Sequence, residues 1–171
     1  SLINKNKEKF IKSINSTLER ENSAYRLINN EITPITSEQE IQSIEEALEN
    51  TGIYSGVQQH LNQALKLMSD RQKPDYRNSI KESISAVEAL AMKILEDNSI
   101  TLGKAIPRLR TKYGLHPTLM ESLNKLYGYS SDENGVRHGS PEESSISYID
   151  AKFILIACTN FINYLIEKTK D

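Results

Sequence analysis

The sequence predicts a mainly α-helical fold of six or seven helices with one short β-hairpin near residues 25–35. Apolar residues recur at spacings of three and four through most of the chain, which is the period of an amphipathic helix. The segment at residues 25–35 breaks that period and carries a turn signal. The chain has 171 residues, a length typical of one domain, and we expect residues 1–171 to form a single domain.

The first four helices follow from apolar stripes in chain order. Ser37, with Glu40 three residues later, resembles a capping box that begins the second helix. Pro74 suits the first turn of the fourth, where a missing N–H costs little. The stripes that define these helices are Phe10, Ile14 and Leu18; Ile41, Ile44 and Leu48; Val57, Leu61, Ala64, Leu65 and Met68; and Ile80, Ile84, Val87, Ala91 and Ile94.

Two shorter helices are expected next. Thr101 is a candidate cap for the first, which should end near Leu109 because Pro107 removes a backbone donor from the helix interior. Pro117 opens the second. That helix carries Leu119, Leu123 and Leu126 on one face.

The last helix is predicted from about Ser147 to Lys168. Residues 153–158 form an unbroken apolar run, so we expect this helix to be enclosed on most sides. The apolar stretch at residues 151–166 is too short and too polar for a typical membrane span, since it contains Lys152, Asn160 and Asn163. We therefore interpret it as a core helix and expect no membrane association.

The hairpin rests on a pair of asparagines. Asn29 and Asn30 tolerate positive φ and suit a two-residue turn between Leu27 and Ile32. Pro34 confines the second strand to an edge or an end, because proline cannot donate to a ladder.

Composition excludes several classes. Cys158 is the only cysteine, so a disulfide scaffold and a structural zinc site are excluded. The net charge of −2 argues against a protein that coats nucleic acid non-specifically. No secretory signal is visible, and a reduced, cytoplasmic setting is expected. The chain begins with Ser1 rather than Met, which suggests a fragment of a longer protein.

Residues 127–145 show no usable period, and long irregular segments inside domains are often functional. The segment contains the adjacent pair Arg137 and His138. Arg matches phosphate oxygens with a fork of donors, and His exchanges a proton near neutral pH. The pair could therefore act on a phosphodiester, or it could be an ordinary exposed pair.

The other histidines and the cysteine have plainer interpretations. His60 lies on an apolar stripe and is expected to be partly buried and hydrogen-bonded, and His116 precedes a helix start and has a local structural role. Cys158 lies in the apolar run and should be an inert hydrophobe. We find no metal-ligand spacing, phosphate loop or dinucleotide fingerprint, and we expect neither metal nor cofactor.

Two further sets of charged residues are candidates. Glu88 lies beside the stripe of the fourth helix, with Arg77 three turns earlier on a similar face; Glu88 either reaches solvent or orients Arg137 or His138. A small basic cluster contains no acid and either binds an RNA backbone or is a solvated face. It comprises Lys104, Arg108, Arg110 and Lys112.

Five stretches together carry a resemblance to a known family. They are SAYRLINNEITPITSEQEI at 23–41, PDYRNSIKESISAVEAL at 74–90, TLGKAIPRL at 101–109, LHPTLMESLNKLYGYSSDENGVRHG at 115–139 and DAKFILIACTNFINYLI at 150–166. In order and content they resemble the fourth type of the AbiJ N-terminal domain family, from about Phe10 onward. We expect the chain to match the C-terminal part of that family's domain.

The resemblance implies a HEPN-like helical bundle from bacterial abortive-infection systems, which act against phage. Such domains are commonly metal-independent ribonucleases that work as homodimers, with a motif of Arg and His at the start of a late helix. His138 matches the histidine and Arg137 is the nearest arginine. By the same resemblance Glu88, Arg77 and Asn134 would support the site.

In the family's motif, four to six residues typically separate the Arg from the His, and this chain departs from that spacing. Residues 131–133, five to seven positions before His138, are Ser, Asp and Glu, with no Arg among them. We therefore keep an alternative to RNA cleavage. In that alternative the chain is a non-catalytic dimerisation or infection-sensing module of a larger defence protein.

Overall fold

The computed structural model describes residues 2–21, 23, 25–35, 37–131 and 146–170. Over these ranges it contains seven α-helices and one two-stranded antiparallel hairpin, which confirms the mainly α prediction. The elements are α1 (Leu2–Arg20), β1 (Arg26–Ile28), β2 (Glu31–Thr33), α2 (Glu38–Asn50), α3 (Ser55–Ser69), α4 (Tyr76–Leu95), α5 (Leu102–Tyr113), α6 (Pro117–Ser131) and α7 (Tyr148–Thr169).

The core is organised around α4, which packs against α3, α7 and α5. Four of the five apolar positions predicted for its stripe are buried and the fifth, Ile94, is half-buried. Ser79 and Ser83 on the same helix are also buried, and each hydroxyl has an acceptor. The Ser79 hydroxyl donates to the Ala64 carbonyl of α3 at 2.8 Å, which joins the two helices without leaving a polar group unpaired.

A polar seam joins α2 to α7 on the other side of the core. The Asn163 side-chain amide donates to the Ser43 carbonyl at 3.1 Å, and the Ser43 and Thr159 hydroxyls lie 3.0 Å apart. At the amino end of the seam Lys152 pairs with Glu40 at 3.0 Å. These contacts fix the angle of α7 against α2 more closely than apolar packing alone would.

The hairpin forms as predicted. Asn29 and Asn30 have φ values of 44° and 72°, and the pairing runs from Ile28 opposite Glu31 to Arg26 opposite Thr33. Two positive φ values are the signature of a type I′ turn, which asparagine tolerates. Pro34 follows the last paired residue, where its missing N–H breaks no ladder bond.

Several predicted helix boundaries change. α5 continues through Pro107 to Tyr113, where we expected an end near Leu109. Proline there removes only the bond to the Gly103 carbonyl, and burial on both sides of it, at Ile106 and Leu109, keeps the helix intact.

The other boundary differences are smaller. α6 runs to Ser131, so the first part of the segment expected to be irregular is helical. Pro74 precedes α4 rather than lying in it, because Asp75 caps the helix by accepting from the Asn78 N–H. Ser37 accepts from the Glu40 N–H, which is half of the expected capping box. Glu40 completes no box, because its carboxylate pairs with Lys152.

α7 is less enclosed than predicted. Its inner side, which includes Leu155 and Cys158, is fully buried, but Ile149 is 72% exposed and Phe153 62% exposed. The unbroken apolar run therefore places apolar side chains on two sides of α7, and the described part of the chain covers one of these sides. By length and composition α7 is also able to cross a membrane, and half of its apolar window is buried inside the protein. The core helix of a soluble protein passes the same test of length and composition.

α1 lies at the edge of the molecule and packs against the hairpin. Asn15 holds it there: its side-chain amide donates to the Leu27 carbonyl at 2.8 Å and its oxygen accepts from the Leu27 N–H at 2.7 Å. Phe10, on the predicted apolar stripe, is 61% exposed. The stripe correctly predicted a helix here but not a buried one.

Candidate functional site

The residues predicted to carry the chemistry lie outside the described part of the chain. Arg137, His138 and Asn134 fall in residues 132–145, so their roles stay predictions. The structure does describe both ends of this segment, Ser131 at the end of α6 and Ile146 just before α7. It also describes every other candidate residue.

Two titratable side chains lie on the helices that lead into and out of that segment, Tyr129 on α6 and Asp150 on α7. The Asp150 carboxylate, in the first turn of α7, accepts from the Ser147 N–H and hydroxyl at 2.8 and 2.7 Å. These bonds hold the pKa of Asp150 below its ordinary value. Burial, followed by the Asp150 charge, raises the pKa of Tyr129 near the end of α6. The negative charge of Asp150 therefore acts on the Tyr129 hydroxyl.

Glu88 has a structural partner on another helix. Its half-buried carboxylate accepts from the Leu102 N–H at 2.7 Å and so caps the amino end of α5. Thr101, the expected cap of α5, makes no capping hydrogen bond with its side chain. Thr101 therefore occupies the N-cap position as predicted, but the Glu88 carboxylate of α4 supplies the capping hydrogen bond in place of the Thr101 side chain. The partner of Glu88 in the structure is thus a backbone N–H of α5.

Arg77 is half-buried in the first turn of α4. Eleven residues separate it from Glu88, which is roughly 16 Å along the helix axis. The two side chains therefore do not converge on one point, since Glu88 is committed to α5. A supporting role for Arg77 near Arg137 or His138 stays a prediction.

The basic cluster divides into two sides of α5. Lys104, Arg108 and Lys112 recur every four residues and share one exposed face, and Arg110 lies on a different side of the helix. The sequence showed no acid among them, but Asp97 pairs with Arg108 at 2.7 Å. The same contact lowers the pKa of Asp97. Lys104 and Lys112 are exposed and lie about 12 Å apart along the helix.

A shallow cleft of about 450 Å³ lies beside this face. Leu95 and Pro107 contribute its apolar part, and Arg108 and Lys112 contribute cationic groups. Lys112 also lies over the Tyr113 ring at 5.1 Å from its centroid. The combination of cations with an apolar floor suits an anionic ligand that has a flat or apolar part.

The remaining candidates behave as expected. His60 is half-buried and its Nδ1 lies 2.7 Å from a Glu82 carboxylate oxygen. The His116 carbonyl accepts from the Met120 N–H at the start of α6. Cys158 is fully buried, and burial raises the pKa of its thiol to about 12. Within the described ranges, no three His, Cys, Asp or Glu side chains gather as metal ligands would.

One polar cleft escaped the sequence interpretation. It has a volume of about 400 Å³, lies between the hairpin turn and α3, and is lined only by polar residues. Asn29 donates to Asn62 across it at 2.6 Å. The lining residues of α3 are Ser55, Gln58, Gln59, Asn62, Gln63 and Lys66. Their three- and four-residue spacing was visible in the sequence as a polar face, but the sequence did not show that the predicted hairpin turn would pack against this face.

Comparison with known proteins identifies one family. Residues 1–50, which form α1, the hairpin and α2, match AbiJ N-terminal domain 4. This is the family that the sequence resembles, and its match covers less than half of the chain. The match lies at the amino end of the chain and does not bear out the expected correspondence to the C-terminal part of the family's domain. No curated protein and no solved structure matches the chain.

Proposed function

We propose that this protein acts in bacterial abortive infection, in the cytoplasm, as a metal-independent ribonuclease that uses Arg137 and His138. The observation that carries the proposal is the match of residues 1–50 to AbiJ N-terminal domain 4. The adjacent cation and imidazole, in a segment between two helices, supply the chemistry that the resemblance implies.

The reaction would use the RNA 2′-hydroxyl as internal nucleophile, which explains selectivity for RNA. His138 would remove the hydroxyl proton as general base, or donate one to the leaving 5′-oxygen as general acid. Arg137 would stabilise the negative charge that gathers on the phosphate in the transition state. In a two-fold homodimer, one His138 could act as base and the other as acid.

The exposed face of α5 fits a supporting role in RNA binding. Lys104 and Lys112 carry charges that no carboxylate in the described ranges pairs at ion-pair distance, whereas Arg108 is held by Asp97. Replacing both lysines with Ala should weaken RNA binding and flatten its dependence on salt, by about one contact per lysine. Arg110→Ala is the matched control, because Arg110 lies on another side of α5. Equal losses from the two sides would contradict this assignment.

The deciding experiment is RNA cleavage by the full-length protein with EDTA present. We expect wild-type cleavage, and a loss of at least about 100-fold in His138→Ala and Arg137→Ala. His116→Ala is the matched control, since His116 is exposed at the start of α6 and should be dispensable. An RNA with deoxyribose at the cleaved position should resist attack.

Absence of cleavage by folded wild-type protein, across structured and single-stranded RNAs, would contradict the ribonuclease proposal. A second function would then stand, that of a non-catalytic dimerisation or infection-sensing module. The exposed apolar side of α7 favours it, because such a surface suits docking rather than catalysis.

A further inference from the structure

α1 carries a concentration of positive charge that the chain as a whole lacks. Residues 5–15 include four lysines and one acid, Glu8, whereas the net charge of the whole chain is −2. All four lysines are exposed, and within the described ranges no carboxylate lies at ion-pair distance from them. A cluster of unpaired cations of this kind attracts a polyanion or an anionic surface. The lysines are Lys5, Lys7, Lys9 and Lys12.

Two large apolar side chains lie among these lysines. Phe10 is 61% exposed and Ile14 is 37% exposed. They are four residues apart and share one side of the helix, and Lys7, three residues before Phe10, lies on the same side. We define the α1 basic surface as the four lysines together with Phe10 and Ile14.

A different side of α1 holds the helix on the hairpin. The Asn15 side chain makes two hydrogen bonds with the Leu27 backbone, and Ile11 is half-buried. Asn15 follows Phe10 by five residues, which turns it about 140° around the helix. The hairpin therefore fixes α1 while leaving Phe10 in solvent. Lys7, at the border of the surface, reaches the Asn29 side-chain oxygen at 3.4 Å.

We propose that the α1 basic surface docks on an anionic lipid bilayer, with α1 lying in the plane of the membrane surface. Phe10 and Ile14 enter the boundary between headgroups and acyl chains, and the lysines contact lipid phosphates. Interfacial helices combine these features, an apolar side and a polar side rich in lysine at low overall hydrophobicity. Each lysine near an anionic leaflet strengthens binding about five-fold.

The exposed apolar side chains favour a bilayer over RNA as the anionic partner. Proteins hold nucleic acid mainly through charged and polar contacts to phosphate and sugar. A phenyl ring can stack on a base, but Ile14 has no planar group that could do so. A bilayer takes up both side chains at once. It also matches a chain in the cytoplasm, because the cytoplasmic leaflet carries anionic lipid.

This docking differs from the membrane association that the sequence argued against. That expectation concerned α7, whose apolar stretch is too short and too polar for a typical span. A helix that lies on the surface needs one apolar side rather than a long apolar run. The proposal goes beyond the proposed function and uses none of its RNA chemistry.

The first test is co-sedimentation of the full-length protein with vesicles of mixed phosphatidylglycerol and phosphatidylcholine, or of phosphatidylcholine alone. We expect at least about ten-fold tighter binding to the anionic vesicles, and loss of this difference at about 1 M salt. Phe10→Ser should weaken binding at least about ten-fold, because the apolar ring is lost. Lys9→Ala combined with Lys12→Ala should weaken it about 25-fold, five-fold for each lysine.

Two matched variants test whether the position of these residues matters. Ile53→Ser removes a side chain that is 84% exposed in the turn before α3. Lys168→Ala combined with Lys170→Ala removes two exposed charges at the end of α7. Each should change vesicle binding by less than about two-fold, because neither alters the α1 basic surface. All variants change exposed residues and should keep the helical circular dichroism of the wild type.

Three results would overturn the proposal. The first is wild-type protein that stays in the supernatant with anionic vesicles at about 1 mM lipid. The second is vesicle binding that the α1 variants and the matched variants weaken equally. The third is RNA binding that the α1 variants abolish in a protein that binds no vesicles, since the surface would then belong to RNA.

Position 10 also allows a direct measurement of insertion. The chain contains no tryptophan, so Phe10→Trp adds one fluorescent probe and the wild type serves as the blank. We expect its emission to move to shorter wavelength with anionic vesicles, because indole favours the membrane interface over water. Ile53→Trp should show no such change. Equal shifts at the two positions, or no shift in vesicle-bound Phe10→Trp protein, would overturn the placement of α1 at the membrane.

Discussion

α1 and α7 both carry exposed apolar side chains, but the rest of each helix is held very differently. Phe10 on α1 and Phe153 on α7 are exposed to almost the same extent, 61% and 62%. The other side of α7 is buried between α4 and α2, whereas α1 packs on the hairpin. Two equally exposed phenylalanines therefore differ in how firmly the rest of their helix is packed.

The largest difference should appear when one apolar side chain is shortened on the inner side of each helix. Leu155→Ala on α7 removes a fully buried side chain and should lower the free energy of unfolding by about 2–5 kcal/mol. Ile11→Ala on α1 removes a half-buried one and should cost about 1 kcal/mol or less. Urea unfolding of both variants at one protein concentration measures the difference. Equal losses of unfolding free energy in the two variants would contradict the view that α7 is a core helix and α1 a peripheral one.

Alkaline pH should act on the inner side of α7. Burial raises the pKa of Cys158 from 9.0 to about 12, so the unfolded chain loses this proton first as pH rises. Stability from this group is complete below pH 9 and is lost between pH 9 and 12. The loss should reach roughly 2–3 kcal/mol at pH 11.

Cys158→Ala provides the control for this effect, because its unfolding free energy should fall less steeply over the same pH range. Tyr148, whose pKa burial raises to about 12, titrates in both proteins and cancels in the difference. Parallel pH profiles for the two proteins would show that the thiol is not shielded as the structure indicates.

Each of the two helices is anchored by one asparagine, Asn163 on α7 and Asn15 on α1. Asn163→Ala breaks the seam between α7 and α2 and should cost about 1–3 kcal/mol of global stability, because it leaves buried groups unpaired. Asn15→Ala frees α1 from Leu27 and should mainly increase local opening of α1. Thermal unfolding reports the first effect and amide exchange the second. A reversed order of global losses would contradict the assignment.

The smallest effect is expected at Phe10. Phe10→Ser replaces a side chain that is mostly in solvent and should change the unfolding free energy by no more than about 0.5 kcal/mol. A large loss of stability would mean that the Phe10 side chain makes contacts that the described part of the chain does not show.

Local signals in the sequence predicted the elements well. The stripe of α4 led to the correct core helix, and Asn29 and Asn30 led to the correct turn. Both depend on residues within a few positions of one another, through helical period and positive φ. The family resemblance was likewise recognised, although over residues 1–50 rather than most of the chain.

Tertiary partners were harder to predict. Glu88 was expected either to reach solvent or to orient Arg137 or His138. The sequence did not show that its carboxylate would cap α5, because that contact depends on how α4 and α5 meet. An orienting role for Glu88 stays a prediction. The exposure of Phe153 could not be predicted from the apolar run. Consecutive apolar residues point to every side of a helix, and the sequence does not show which sides the rest of the protein covers. The roles of Arg137, His138 and Asn134 remain predictions, and so does the single domain.

Amide hydrogen exchange on the full-length protein tests most directly the claim that α7 is a fixed core helix and α1 a peripheral one. We expect the central amides of α4 and α7 to exchange only through global unfolding, and those of α1 to exchange at least about 100-fold faster through local opening. Protection of α1 equal to that of α7 would contradict this claim. It would place both exposed phenylalanines on equally rigid supports.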